Sequence, residues 1–151
     1  MRRDDREIND CLEIETIIQH AIVCRIGLAV GDEPYIVPVG FGYENRTIYF
    51  HSALAGKKIS MLMKNSRCCF EVDQCDNPIR GERPCDWGMR YRSVIGFGRA
   101  CFIEDRDEKK KGLNCIMRHY GSGIHEFSDE DIRNVCVIRI DIDSITGKKH
   151  E

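Results

Sequence analysis

Apolar positions along the chain first follow a helical repeat and then settle into strand-like alternation. Ile8, Leu12, Ile14, Ile17 and Ile18 fall near a 3.6-residue period and predict an amphipathic opening helix over residues 7–20. Residues 22–30 are mostly apolar and β-capable, and Gly31-Asp32 signals a turn. Residues 34–43 (PYIVPVGFGY) read as a second strand, entered and interrupted by proline. Asn45-Arg46 reads as a turn and residues 47–51 as a third strand, which predicts a meander joined by tight turns. Residues 57–64 place Ile59, Leu62 and Met63 on one face of a short helix, and residues 67–72 (RCCFEV) form a fourth strand. Residues 73–87, rich in Pro, Gly, Asp and Cys, are the longest irregular stretch, a length more often functional than idle.

Residues 91–104 predict a long strand whose alternation sets Gly96, Gly98 and Ala100 on one face and Ile95, Phe97 and Cys101 on the other. Interior glycines weaken a strand and mark bends, which a small barrel needs in order to close. Leu113, Ile116, Met117 and Tyr120 recur at helical spacing over residues 107–120 and read as core packing. Ser128 with Asp131 resembles a capping box opening a last short helix, and residues 135–145 close the chain as a strand. Without regular βαβ alternation a doubly wound parallel sheet is disfavoured. The predicted architecture is mainly β with peripheral helices: a mostly antiparallel barrel formed by one domain over residues 1–151.

Composition narrows the function. With 151 residues, 42% hydrophobic and 32% charged, the chain can bury a substantial core. A net charge of −2 with interleaved signs gives no basic face for nucleic acid. No apolar run approaches eighteen residues, so no membrane span is expected. The opening MRRDDREIND lacks the apolar segment of a signal peptide, and a cytoplasmic location follows as the expectation. Nine cysteines, with no C-x-x-C pair, argue against a disulfide framework or a zinc site. They are expected to be reduced and mostly buried, packing as small hydrophobes.

One stretch, YFHSALAGKKI over residues 49–59, runs against ordinary helix-start chemistry. Lys57 and Lys58 stand at the amino end of a helix, where cations are disfavoured. Alternation sends Ile48 and Phe50 into the barrel and Tyr49 and His51 outward. Ser52, free helix-start N–H groups, Gly56 and two ammonium groups together suit a phosphate. The bland alternative is a pair of solvated surface lysines. No Walker loop is present, and Gly40-Phe41-Gly42 and Gly96-Phe97-Gly98 lie within strands, so the phosphate would belong to a ligand lying against a sheet. Two other constellations are weaker. His119 and His125 flank a Gly-Ser-Gly turn but lack further metal ligands, so no metal is assigned; Cys75 and Cys85 bracket the irregular stretch as a conceivable redox pair.

In order and spacing, MRRDDREI, PYIVPVGFGYE, IYFHSALAGKKI, RCCFEVD, WGMRYRSVIGFGRA and ITGKK resemble the FMN-binding split barrels related to pyridoxamine 5'-phosphate oxidase, and within them the nitroimidazole-resistance flavoproteins. The resemblance implies a six-stranded antiparallel split β-barrel. It places the flavin ring against the backbone of Val37, Pro38, Val39 and Gly40, with Tyr49 and Phe50 flanking the ring or ribityl chain. It maps the FMN phosphate onto His51, Ser52, Lys57 and Lys58. It also implies a homodimer with FMN at the subunit interface, Trp87, Arg92 and Ser93 reaching the partner's flavin, and His51 as candidate proton donor. The implied activity carries electrons from a reduced donor, such as a reduced nicotinamide, to a small acceptor such as a nitroimidazole. The lysine strand and the carboxyl-terminal Arg/His motif of true pyridoxamine-phosphate oxidases are absent, which argues against that reaction. Alternatives from other classes are a flavin-binding module without turnover, and a haem-binding split barrel with His51 as axial ligand.

Overall fold

A computed structural model describes residues 4–150. The strands are β1 (Glu7–Ile8), β2 (Cys24–Val30), β3 (Glu33–Val39), β4 (Phe41–Glu44), β5 (Thr47–Ser52), β6 (Arg67–Ile79), β7 (Gly88–Ile103) and β8 (Cys136–His150). The helices are α1 (Cys11–His20), α2 (Lys57–Lys64), α3 (Arg106–Tyr120) and α4 (Asp129–Arg133). Hydrogen bonding orders the strands β3-β2-β6-β7-β8-β5-β4, with β1 added to β8, and every pairing is antiparallel.

The two ends of this path, β3 and β4, are consecutive in sequence and separated only by Gly40. One bent segment therefore closes the sheet on itself. The sheet has eight strands rather than the six expected; counting that bent segment once and setting aside the two-residue β1 leaves six. Two tight turns fix the registers beside it. Gly31 has φ of 59° in the β2–β3 turn, and Asn45 and Arg46 have φ of 50° and 59°. Positive φ at both central residues marks the turn whose twist suits a two-residue hairpin.

The barrel interior is filled by Ile26, Phe41, Ile48, Phe50, Phe70, Val72, Val94, Ile138 and Ile140, all essentially inaccessible. On β7 the alternation is as expected: residues 94, 96, 98 and 100 are buried and 95, 97, 99 and 101 exposed. A Cβ on Gly96 would stand 2.2 Å from the Phe70 ring, so the glycine makes room for that phenyl group. The β7–β8 register shifts at Phe97/Gly98, bending the strand as closure requires. Helix α1, capped by Asp10, adds Ile14, Ile17 and Ile18 to this core. A second cluster lies outside the barrel under α3, made of Tyr49, Ile103, Leu113, Cys115, Ile116 and Val137.

Several expectations are corrected. The opening helix starts at Cys11 because Glu7 and Ile8 pair with Lys148 and Gly147. The second strand is two strands that pair with different neighbours, so the first three strands are not a simple meander. About half of the supposed irregular stretch is strand: β6 continues to Ile79 and pairs with β7 out to Gly88, leaving residues 80–87 as the loop, with a 3₁₀ turn at Pro84–Asp86. The last strand runs to His150. Met117 and Tyr120 are 40% and 48% exposed and are not core. All nine cysteines are unpaired thiols, but Cys11, Cys75, Cys85 and Cys101 are exposed and only Cys24, Cys68 and Cys115 are buried. Ser128 and Asp131 do form the reciprocal capping box. Among the described residues no helix is long and apolar enough to cross a membrane.

Candidate functional site

The barrel is open where β3 leaves β4. The β4–β5 ladder ends at Phe41↔Phe50, and the same register would set Gly40 against His51 and Val39 against Ser52. Instead β3 turns away to pair with β2, through Val39↔Cys24. One edge of β3 and the last two residues of β5 thus form the two lips of a split. Val37, Pro38, Val39 and Gly40 lie on one lip and His51 and Ser52 on the other. Pro38, Gly40 and His51 are exposed, Val37 and Ser52 half-buried, and Val39 buried.

Helix α2 begins across this split. Lys57 Nζ reaches Glu33 Oε1 at 2.6 Å and lies 5.0 Å from the centroid of Tyr35, both on β3. Lys58 Nζ lies 5.4 Å from the centroid of Phe50, on β5. The two lysines therefore touch β3 and β5, the two strands that carry the lips. The charge puzzle is half answered within the chain: Glu33 is the anion for Lys57, and the pair raises the lysine and lowers the carboxyl from their ordinary values. Lys58 has no carboxylate partner among the described residues, and burial holds its ammonium below the usual lysine range. The helix opens on Gly56, at φ 134°, with no side-chain cap and no acidic residue in its first turn. By contrast α1, α3 and α4 are capped by Asp10, Asp105 and Ser128. The first N–H groups of a helix need an acceptor. At α2 the chain supplies none from a capping side chain, and it adds positive charge.

His51 stands on the outer face of β5, as its alternation with Phe50 requires, opposite Val137 of β8. Tyr49 also points out of the barrel, but α3 covers it, and it is only 9% exposed. Phe50 is wholly inside. The two side chains are buried on opposite faces of β5, Tyr49 under α3 and Phe50 in the barrel, so neither is exposed at the split as the flanking roles require.

Two residues at the end of α3 were not legible as part of this site. Tyr120 Oη accepts from Phe41 N–H at 2.9 Å and donates to Ile22 C=O at 2.8 Å. Phe41 is the first residue after the bend, so the phenol occupies the N–H where the chain changes sheet neighbours. His119 packs on Phe41 with ring centroids 4.2 Å apart, and a ring nitrogen bonds Ala21 C=O at 2.7 Å. Those contacts give His119 a structural role at the bend. Among the described residues no cluster of His, Cys, Asp and Glu could hold a metal ion. The apolar spacing of Tyr120 concealed the hydroxyl's role.

Trp87, Arg92 and Ser93 do not join the split within one chain. His51 faces Val137 and Ser93 faces Lys148, so the two groups sit about 35 Å apart along β8 at about 3.3 Å per residue. Trp87 is exposed, donates its indole N–H to Gly81 C=O at 3.0 Å and stacks near Arg80. Arg92 lines a hollow of about 380 Å³ with Gln74, Asp76, Arg90, Tyr91 and His150.

The pyridoxamine 5'-phosphate oxidase family matches residues 10–149. A candidate 5-nitroimidazole antibiotic resistance protein from Bacteroides thetaiotaomicron is 39% identical over 95% of this chain and 86% of its own, with a TM-score of 0.85. Two more distant structures share the fold. The flavocytochrome Anf3 from Azotobacter vinelandii is 20% identical over 100% of this chain and 72% of its own, with a TM-score of 0.87. An FAD- and heme-binding protein from Mycobacterium smegmatis is 17% identical over 97% and 74%, with a TM-score of 0.88. No curated protein matches. Family match and fold agree with the bent-segment closure and the split: the chain belongs to the pyridoxamine 5'-phosphate oxidase family and is similar within it to nitroimidazole-resistance proteins.

Proposed function

We propose that the protein is a flavoprotein that holds FMN at the split and passes electrons from a reduced donor, such as a reduced nicotinamide, to a small acceptor of the nitroimidazole or nitroaromatic class. The observation that carries this reading is the amino end of α2: uncapped, free of acidic residues and bearing Lys58 without a carboxylate partner, at the mouth of the split. An anion there meets helix N–H groups and an ammonium together. The flavin phosphate is the anion that family membership suggests.

Bound flavin supplies the electron chemistry; the chain supplies binding, orientation and proton handling. The free edge of β3 offers backbone groups to a planar ring laid against Val37–Gly40. Lys57, already tied to Glu33, positions the α2 end against β3, and Lys58 meets the phosphate directly. His51, exposed on the opposite lip, is placed to donate a hydrogen bond to the ligand or a proton to an acceptor above it. Trp87, Arg92 and Ser93 complete the site from a second copy, because the fold keeps them at the far end of β8 in their own chain. This reading makes the protein a homodimer, and a cytoplasmic setting suits its unpaired thiols. Oxidation of pyridoxamine phosphate is the weaker reading, since the lysine strand of those oxidases is replaced by PYIVPVGFGYE.

The absorption spectrum of the purified protein tests the assignment. Flavin bands that bleach under anaerobic titration with reduced nicotinamide, and return on adding a nitroimidazole, are the expected result. A Soret band would replace flavin by haem. Flavin bands that no donor bleaches would leave a binding module without turnover.

A further inference from the structure

Helix α3 covers one side of the barrel exterior, packing over Tyr49, Ile103 and Val137. On the other side the outward residues of β3, β2, β6 and β7 meet solvent, and the central ones are mostly apolar. The ladders set them in rows: Ile36, Gly27, Cys69 and Phe97 in one, and Pro38, Arg25, Glu71 and Ile95 in the next. Ile36 is 69% exposed, and Ile95 and Phe97 are each 45% exposed. Between Ile36 and Phe97 lies a hollow of about 370 Å³ that also touches Ala29, Pro34 and Cys69. Gly27 lines it too, and a Cβ there would stand 2.6 Å from Cys69 Sγ. Exposed apolar side chains gathered on one face in this way mark a contact surface.

The pattern fits a second copy of itself. In a symmetric dimer the same patch meets its twin about a two-fold axis. An axis that runs along the strands between β2 and β6 lays β3 over the partner's β7 and β2 over the partner's β6, as aligned sheets pack. Ile36 then meets the partner's Phe97, and Pro38 the partner's Ile95. Arg25, which holds Glu71 and Asp73 of its own chain, comes opposite the partner's Glu71, so each guanidinium faces a carboxylate. Arg67 and Arg99, exposed beyond Cys69 and Phe97, are left on the polar rim. The same rotation carries the partner's Ser93 to the level of Gly40, because Ser93 follows Ile95, and Gly40 follows Pro38, by one step of the alternation. An axis across the strands would instead lay β3 on the partner's β3 and keep Ser93 from the split.

We propose that this face is the interface of a homodimer, with β3 of each copy packed against β7 of the other. The inference rests on the homodimer reading given above and adds to it the surface and the pairing.

Light scattering, with and without FMN, tests the pairing on two variants of the full chain. Ile36→Lys and Phe97→Glu each bury a charge against the partner's apolar side chain, and each is expected to weaken the dimer by about 100-fold or more. Within one chain the two positions lie three strand spacings apart, about 14 Å at about 4.8 Å each, so they cannot answer each other there. Mixed one to one, the two variants are expected to recover a dimer. The new lysine and the new glutamate then meet across the interface, while the second Ile36–Phe97 contact stays native. Recovery on mixing cannot come from chains that fail to fold, and circular dichroism of each variant alone is expected to match the parent. If the parent is a dimer and both variants stay dimeric, this face is overturned and the homodimer reading survives. Variants that are monomeric alone and remain so when mixed overturn the pairing. A monomeric parent overturns both the face and the homodimer.

Discussion

Lys58 is the residue on which the site's electrostatics turn. Lys57 is exposed and already neutralised by Glu33, so an incoming phosphate must share it. Lys58 is partly buried over Phe50 without such a partner. Lys58→Ala should therefore weaken FMN by about 1.5–3 kcal/mol, one charge-assisted contact, and Lys57→Ala by less. The pH dependence has a definite sign. Burial lowers the Lys58 pKa in the free protein, so its ammonium is present below that depressed value and lost as pH rises through it. FMN affinity, measured by fluorescence quenching, should fall on the alkaline side sooner than an ordinary lysine would dictate, and Lys58→Arg should remove the early fall. His51 divides differently. His51→Asn that keeps FMN affinity but lowers nitroimidazole reduction by about 10²-fold assigns proton transfer; weakened FMN assigns cofactor contact; parent values in both remove His51 from the site.

At the scale of elements, the split depends on a bend held in place from α3. Tyr120→Phe leaves Phe41 N–H and Ile22 C=O without their phenolic partner and should cost about 1–3 kcal/mol in urea unfolding. FMN affinity should drop further than Lys58 chemistry explains, because the lip carrying Gly40 loosens. Gly96→Ala tests the barrel itself: the added methyl meets Phe70, so stability should fall by about 1–3 kcal/mol while the isolated α2 chemistry is untouched. Much of this level was legible beforehand. Helix α2 spans the residues read for it, although Met61 rather than Met63 joins Ile59 and Leu62 in the core; the β7 alternation is buried and exposed as read, and the Ser128 box forms. The bend was not legible, because Val39, Gly40 and Phe41 continue a β-like pattern and only their pairing partners distinguish two strands from one. The β6–β7 extension was hidden by Pro78, which reads as a breaker but sits at a register shift between Cys75 and Pro78. Tyr120 was hidden because helical spacing reports the ring and not the hydroxyl. On the lips themselves, the stretch 49–59 announced its chemistry through two lysines at a helix start, although Glu33, distant in sequence, could not be seen to answer one of them.

At the scale of the whole molecule, the split with α2 and the Trp87–Ser93 segment lie at opposite ends of β8, so the proposed site needs a second copy to bring them together. Light scattering should return a dimer. A monomer with full flavin occupancy would remove Trp87, Arg92 and Ser93 from the site and leave the split to act alone. The central claim, that the split with the amino end of α2 binds the flavin through its phosphate, is tested most directly by titrating FMN and riboflavin against the parent protein and the Lys57→Ala/Lys58→Ala variant. FMN should bind the parent far more tightly than riboflavin does, and the double substitution should erase most of that difference while leaving riboflavin affinity nearly unchanged. Equal losses for both ligands, or no FMN preference in the parent, would contradict the account.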